Sequence, residues 1–313
     1  MQTRNIGSLT VSAVGLGCNN FGMRIDEAAT KQVVSAALDA GITFYDTADI
    51  YGGTLSEEYL GRALGTRRDD VLVATKFGGP IDDERKGGAS APYVRRAVDD
   101  SLKRLGTDRI DLYQLHFPDQ AVSVEETLGA LDELVRAGKV REIGASNFSP
   151  ELIDESEATS AKQRWARFVS VQNEYSLLRR GPERNGVLDA CVRHGIAFLP
   201  YFPLASGMLT GKYQRAGEPP KGTRLAGLPE ERRERALSDK NFDKVEALDG
   251  WARDHGHSLL ELAFSWLLAR PVVASVIAGA TKPEQAIANA AAAEWSLTAA
   301  DLAEIDALLE GVR

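Results

Sequence analysis

Short apolar runs recur along the chain, and most of them end abruptly at a polar side chain. They read SAVGLGC, ITFYD, VLVATK, IDLYQLH, EIGAS, FVSVQ, IAFLPY and VASVIAG, eight in all. Runs of this length, rich in β-branched residues and bounded by turn formers, predict buried strands. Between them lie stretches such as DEAATKQVVSAALDAG, APYVRRAVDDSLKRLG and SVEETLGALDELVRAGK. Their apolar residues fall three and four apart, the spacing of a helix with one buried face. Asp26 and Ser123 stand where N-caps belong, and Gly41, Gly106 and Gly138 stand where helices stop.

Strand and helix alternating eight times predict an α/β fold, a (β/α)8 TIM barrel with its strands parallel. The leading RNIGSLTVSAVG reads as a β-hairpin over one end of that barrel. An irregular loop is expected after strand 7, over residues 203–238, where glycines, prolines and basic residues gather. A C-terminal amphipathic helix is expected over 298–309. No shift in composition marks a boundary, so residues 1–313 read as a single domain.

Composition narrows the partners. The chain has 313 residues and a formal net charge of −8, which argues against a nucleic-acid backbone as ligand. Its two cysteines, Cys18 and Cys191, lie far apart and form no metal spacing, so both read as reduced thiols. The N-terminus has no basic region followed by an apolar stretch, and no apolar run approaches the length of a membrane span. These features predict a cytoplasmic protein with no membrane partner and no metal. GLGCNN resembles the start of a dinucleotide fingerprint, but Asn20 stands at its third position and no helix follows directly.

The polar residues that end the strands are spaced with regularity. Asp46, Lys76, His116, Ser146, Gln172 and Tyr201 follow one another at intervals of 30, 40, 30, 26 and 29 residues. Each interval is about one strand–helix unit, so each strand delivers a polar group to the same rim, where barrel enzymes place their chemistry. A single strand ending in Asp or Lys meets solvent more often than a ligand. Six in succession form a ring. His194, His255 and His257 sit at helix ends, and the His255-x-His257 pair lacks a third metal ligand.

Three of these groups, Asp46, Lys76 and His116, suit one reaction together with Tyr51. Tyr51 follows Asp46 by five residues, beside Gly52 and Gly53. A phenol with a pKa near 10 is a weak acid at neutral pH, and a lysine cation nearby is expected to lower that value. Asp46 would hold Lys76 charged, and His116 would hydrogen-bond a carbonyl oxygen. The set amounts to a proton donor at a carbonyl that gains negative charge as hydride arrives. No side chain supplies hydride, so a nicotinamide cofactor is implied.

The segments GITFYDTADIYGGTLSEEYLG, VLVATKFG, IDLYQLHFPD, GKVREIGASNFS, VQNEYSLL and LPYFPLASGMLTGKY together resemble the aldo-keto reductases, over residues 4–309. The resemblance implies catalysis by Asp46, Tyr51, Lys76 and His116, with Tyr51 as general acid or base. It implies cofactor contacts from Gly17, Cys18, Asn19 and Asp46, from Ser146, Asn147 and Gln172 at the carboxamide, and from Tyr201 stacked on the nicotinamide. It places Phe202, Pro203, Leu204, Ser206, Gly207, Leu209, Gly211 and Lys212 around the pyrophosphate, and Gly279, Thr281, Lys282, Gln285 and Asn289 around the adenosine phosphate. Better-known members carry an arginine where Gln285 stands, so Lys282 is expected to supply the cation and NADP(H) to be the cofactor. Phe21, Phe77, Phe117 and Phe202 are candidates for apolar walls of the substrate pocket, and packing under the loops is the equal alternative for each. Two alternatives remain open: a cofactor-binding regulatory subunit with little turnover, and a Schiff-base aldolase using Lys76.

Overall fold

The computed structural model describes residues 1–215 and 217–311; Ala216, inside the long loop, and the last two residues lie outside it. A hairpin, β1 (Thr3–Ile6) and β2 (Leu9–Ser12), comes first. Eight strands follow in one parallel sheet: β3 (Val14–Gly17), β4 (Phe44–Asp46), β5 (Leu72–Phe77), β6 (Ile110–Leu115), β7 (Val140–Ser146), β8 (Phe168–Glu174), β9 (Ala197–Tyr201) and β10 (Val276–Gly279). All eight match the apolar runs. β10 pairs with β3, and Phe198 on β9 bonds to Val272 O (2.7 Å) and from Ala274 N (3.0 Å), which brings the sheet round into a nearly closed barrel.

Side chains alternate across each strand, and that period of two builds the barrel interior in layers. The lower layer is apolar: Phe44, Ala74, Leu112 and Leu199 pack with Ile6, Leu9 and Val11 of the hairpin. Two residues further along the same strands stand Asp46, Lys76, Gln114 and Tyr201. The same inward faces therefore change from apolar to polar toward the C-terminal rim. The hairpin covers the other end, where Ser8 N donates to Glu142 (2.7 Å) and Arg4 reaches the carbonyls of Val273 (2.5 Å) and Leu268 (2.6 Å).

The outward faces of the strands meet the helices. Asp26 and Ser123 cap their helices as expected, accepting from Ala29 N and Glu126 N. Gly106 has φ 63°, the left-handed turn that ends Ala91–Leu105. The final helix, Ala299–Gly311, packs on the helix Asp239–Asp254, where Trp251 Nε1 donates to Glu304 (3.1 Å). The expected irregular loop is more ordered than its composition suggests: it contains a 3-10 turn at Ala205–Thr210, another at Leu225–Gly227, and a helix at Glu230–Ala236. Glu230 and Glu231 at the start of that last helix and Arg233 and Arg235 at its end complement its dipole.

One helix contact tests the packing. A Cβ on Gly61 would lie 2.3 Å from the carbonyl oxygen of Leu105, so two helices approach there as only glycine allows. Gly61→Ala should destabilise by about 1–3 kcal/mol. Gly250, within a helix and with nothing near its missing Cβ, is the control. Gly250→Ala should be neutral or stabilise by about 0.5–1 kcal/mol. Thermal denaturation of both variants checks the contrast.

Candidate functional site

A cavity of about 740 Å³ opens at the C-terminal rim and is lined from both ends of the sheet, by Gly279, Gly17 and Asp46 at one end and Tyr201 at the other. Under its floor lies an ion pair. Lys76 is fully buried, and its Nζ donates to Asp46 Oδ2 (2.7 Å), to Thr47 O (2.9 Å) and to the hydroxyl of Tyr51 (3.4 Å). The other carboxylate oxygen of Asp46 accepts from Gln114 Nε2 (3.2 Å) and Gln172 Nε2 (2.9 Å). Tyr51 sits edge-on to His116, with ring centroids 5.7 Å apart, and Phe117 stacks on the far side of His116 at 4.3 Å. Asp46, Tyr51, Lys76 and His116 thus meet in one place.

The local chain explains why. After β4 the backbone stays beside β5, with Thr47 N bonded to Ala74 O and Asp49 N to Lys76 O. It then turns through Gly52 and Gly53, both at φ near 60°. A Cβ on Gly52 would lie 2.4 Å from Phe21 O, so the turn that sets Tyr51 against Lys76 requires glycine.

Burial and charge oppose one another here. Desolvation is the largest influence on Lys76 and pulls its pKa down, but Asp46 and Tyr51 outweigh it and leave the ammonium raised. Tyr51 goes the other way from expectation. Burial pushes its pKa above the ordinary phenol value, with Lys76 pulling it down and Asp46 pushing it up. The expected net lowering is corrected: Lys76 is committed first to Asp46 and stands 3.4 Å from the phenol, too far to offset the lost solvation. His116 is pushed down to about 3 by burial and by the Lys76 charge. Asp49, three residues from Asp46 with both oxygens unpartnered, is pushed up to about 8 by burial and by Glu57. It is therefore mostly neutral at pH 7 and adds little rival charge beside Lys76.

The remaining residues bond to one another. Ser146 Oγ and Asn147 N both donate to Gln172 O, at 2.8 and 3.0 Å. Asn147 Nδ2 donates to His116 O (3.0 Å), and its Oδ1 accepts from Tyr201 (2.8 Å). After Tyr201 the backbone becomes left-handed at Phe202 (φ 51°), Ala205 (φ 45°), Ser206 (φ 58°) and Gly207 (φ 95°). A Cβ on Gly207 would stand 2.6 Å from Lys212 Nζ. Across the cavity, Thr281 N and Oγ1 both donate to Gln285 Oε1, and Lys282 is exposed beside them.

Several residues fall elsewhere than expected. Phe21 and Phe77 are fully buried, Phe77 stacked on Tyr113 at 4.7 Å, and neither lines the cavity; both belong to the packing beneath the loops. Leu209 turns into the core, and Gly211 ends the 3-10 turn outside the cavity wall. Phe117 and Phe202 do line it. Arg24 and Arg224, which the strand pattern does not single out, also line it. Both donate to Asn20 Oδ1 (3.3 Å each), and Arg24 donates to Gly222 O as well. Lys212 and Arg224 are lowered by burial and then by neighbouring arginines. Among the described residues Arg24, Lys212 and Arg224 have no carboxylate partner, which leaves this part of the cavity wall positively charged.

A nicotinamide dinucleotide fits these features: the left-handed loop and the cations of Arg24, Lys212 and Arg224 line one cavity, where a pyrophosphate would meet positive charge. The geometry alone defines a barrel with a buried ion pair, a phenol and an imidazole gathered at a cavity on its C-terminal rim. The Aldo/keto reductase family model matches residues 13–310, and the chain belongs to that family of oxidoreductases. It is similar to the L-glyceraldehyde 3-phosphate reductase of Escherichia coli K12, 32% identical over 327 residues that cover 98% of this chain and 92% of the relative. It is 35% identical to the aldo-keto reductase yakc [NADP(+)] of Schizosaccharomyces pombe over 281 residues, 86% of this chain and 80% of that one. It is also 34% identical to a probable voltage-gated potassium channel subunit beta of Oryza sativa over 297 residues, 92% and 90% of the two chains.

The low pKa of His116 has a direct consequence. Its ring should stay neutral through the physiological range, so its NMR signals should not move between pH 8 and roughly 5. A midpoint near 6.5 would mean that the imidazole is solvated and free of the Lys76 field.

Proposed function

We propose that the protein reduces an aldehyde or ketone, and oxidises the corresponding alcohol, with NADP(H) as cofactor and Tyr51 as general acid and base. The contact that carries this reading is Lys76 Nζ at 3.4 Å from the Tyr51 hydroxyl, with Asp46 behind it and the His116 ring beside it. When bound, the nicotinamide supplies hydride to the carbonyl carbon. The chain's own groups handle the oxygen. His116, neutral, donates an N–H to it and sets its position. Tyr51 holds its proton at neutral pH and gives it up as the oxygen becomes an alkoxide. Lys76 stabilises the phenolate that forms.

Lys76 is sealed from solvent and raised in pKa, which disfavours the free amine that a Schiff-base aldolase needs. Ser146, Asn147 and Gln172 would hold the carboxamide, and Tyr201 would stack on the ring. Lys212 and Arg224, beside the left-handed loop, would meet the pyrophosphate. Lys282 would meet the adenosine phosphate in place of the absent arginine, a preference for NADPH that the name of the Schizosaccharomyces pombe relative also supports. The small-molecule substrate would enter between Ile50, Phe117 and Arg224, all on the cavity wall.

Tyr51→Phe should lose about a hundredfold or more in turnover of a carbonyl substrate, as removal of a positioned general acid does. Its cofactor affinity should stay close to that of the natural protein, with NADPH bound more tightly than NADH in the same fluorescence titration. Turnover retained in Tyr51→Phe would remove the proton-donor role.

A further inference from the structure

We propose that Gln114 is a positioning residue for the Asp46–Lys76 pair and keeps Asp46 oriented when Gln172 turns to the cofactor; this rests on the reductase reading above. A glutamine inside a buried parallel strand is unusual, and Gln114 is fully buried in β6, paired in register with Lys76. It points inward, two residues beyond Leu112 of the apolar layer, and its Nε2 lies 3.2 Å from Asp46 Oδ1. The reverse amide orientation would set two oxygens against each other, so the donor faces the carboxylate. Space for it comes from Gly144 on the next strand, where a Cβ would stand 3.1 Å from Gln114 Cγ and 2.3 Å from Ser170 Oγ.

Asp46 Oδ1 has a second donor, Gln172, but the two glutamines differ in place. Gln172 lines the cavity and Gln114 does not. A bound carboxamide can recruit Gln172 and loosen its hold on Asp46. Gln114 is out of reach of any ligand there, so its charge-assisted bond persists through the cycle. Without it, Asp46 would rotate about its own side chain, and Lys76 would lose the anchor that aims it at Tyr51.

The test uses two variants of the full chain. Gln114→Met removes the donor at nearly constant volume. It should lower kcat by about ten- to a hundredfold while cofactor Kd is unchanged, and should move the alkaline limit of reduction upward as Lys76 pulls less on the phenol. Gln114→Glu sets a second carboxyl against Asp46. Its activity should return as the pH falls, because protonated Glu donates to Asp46 as the amide did. A lower melting temperature with wild-type kcat and pH profile in Gln114→Met would overturn the inference, as would a wild-type pH profile in Gln114→Glu. Tyr51→Phe separates the two claims: if it remains active the reductase reading fails, whereas an inactive Tyr51→Phe beside unperturbed Gln114 variants defeats only this inference.

Discussion

A lysine with no exposed surface is the constraint from which the rest of the site follows. Burying an ammonium and a carboxylate is costly, and their attraction offsets the cost only when both are fully hydrogen-bonded. Lys76 meets that condition through Asp46, Thr47 O and Tyr51, and Asp46 through Lys76 and two glutamine amides. Six groups from β4, β5, β6, β8 and the loop after β4 must therefore keep fixed places. The phenol is included as one of the three partners of the lysine, so the same bonding that makes the ion pair tolerable also aims it at Tyr51.

The barrel provides this at little extra expense in sequence. Because inward faces recur every second residue, placing a polar residue two beyond an apolar one converts core into site within a single strand. Phe44 with Asp46, Ala74 with Lys76, and Leu112 with Gln114 are three such steps. The hairpin closes the opposite end, so the apolar layer is sealed from below and the polar layer opens only upward. Burial then divides the labour: it keeps Tyr51 protonated and His116 neutral, while Asp46 keeps Lys76 charged.

Much of this was legible in the sequence, and the parts that were not share causes. The eight strands stood out because parallel strands buried on both faces are nearly all apolar. The polar residues that end them stood out for the same reason. Gln114 gives no strand-end signal, since it lies inside a run and not at its end; an amide within a buried run is the signal it does give. Phe21 and Phe77 are no less apolar than Phe117, and only the packing of loops separates a wall from a core. Arg24 and Arg224 gave no strand-end signal, since they come from a turn and from the long loop, whose path depends on tertiary contacts such as those to Asn20. The direction of the Tyr51 shift needed burial as well as charge, and a sequence shows only the charge.

The coupling of Lys76 to Tyr51 is tested most directly by the pH dependence of kcat/KM for carbonyl reduction in Lys76→Met. Loss of the cation should slow the reaction and move the alkaline limit upward, since the pull that lowers the phenol's pKa is gone while burial remains. A limit at the same pH as in the natural protein would contradict the claim that this buried ammonium governs the proton on Tyr51.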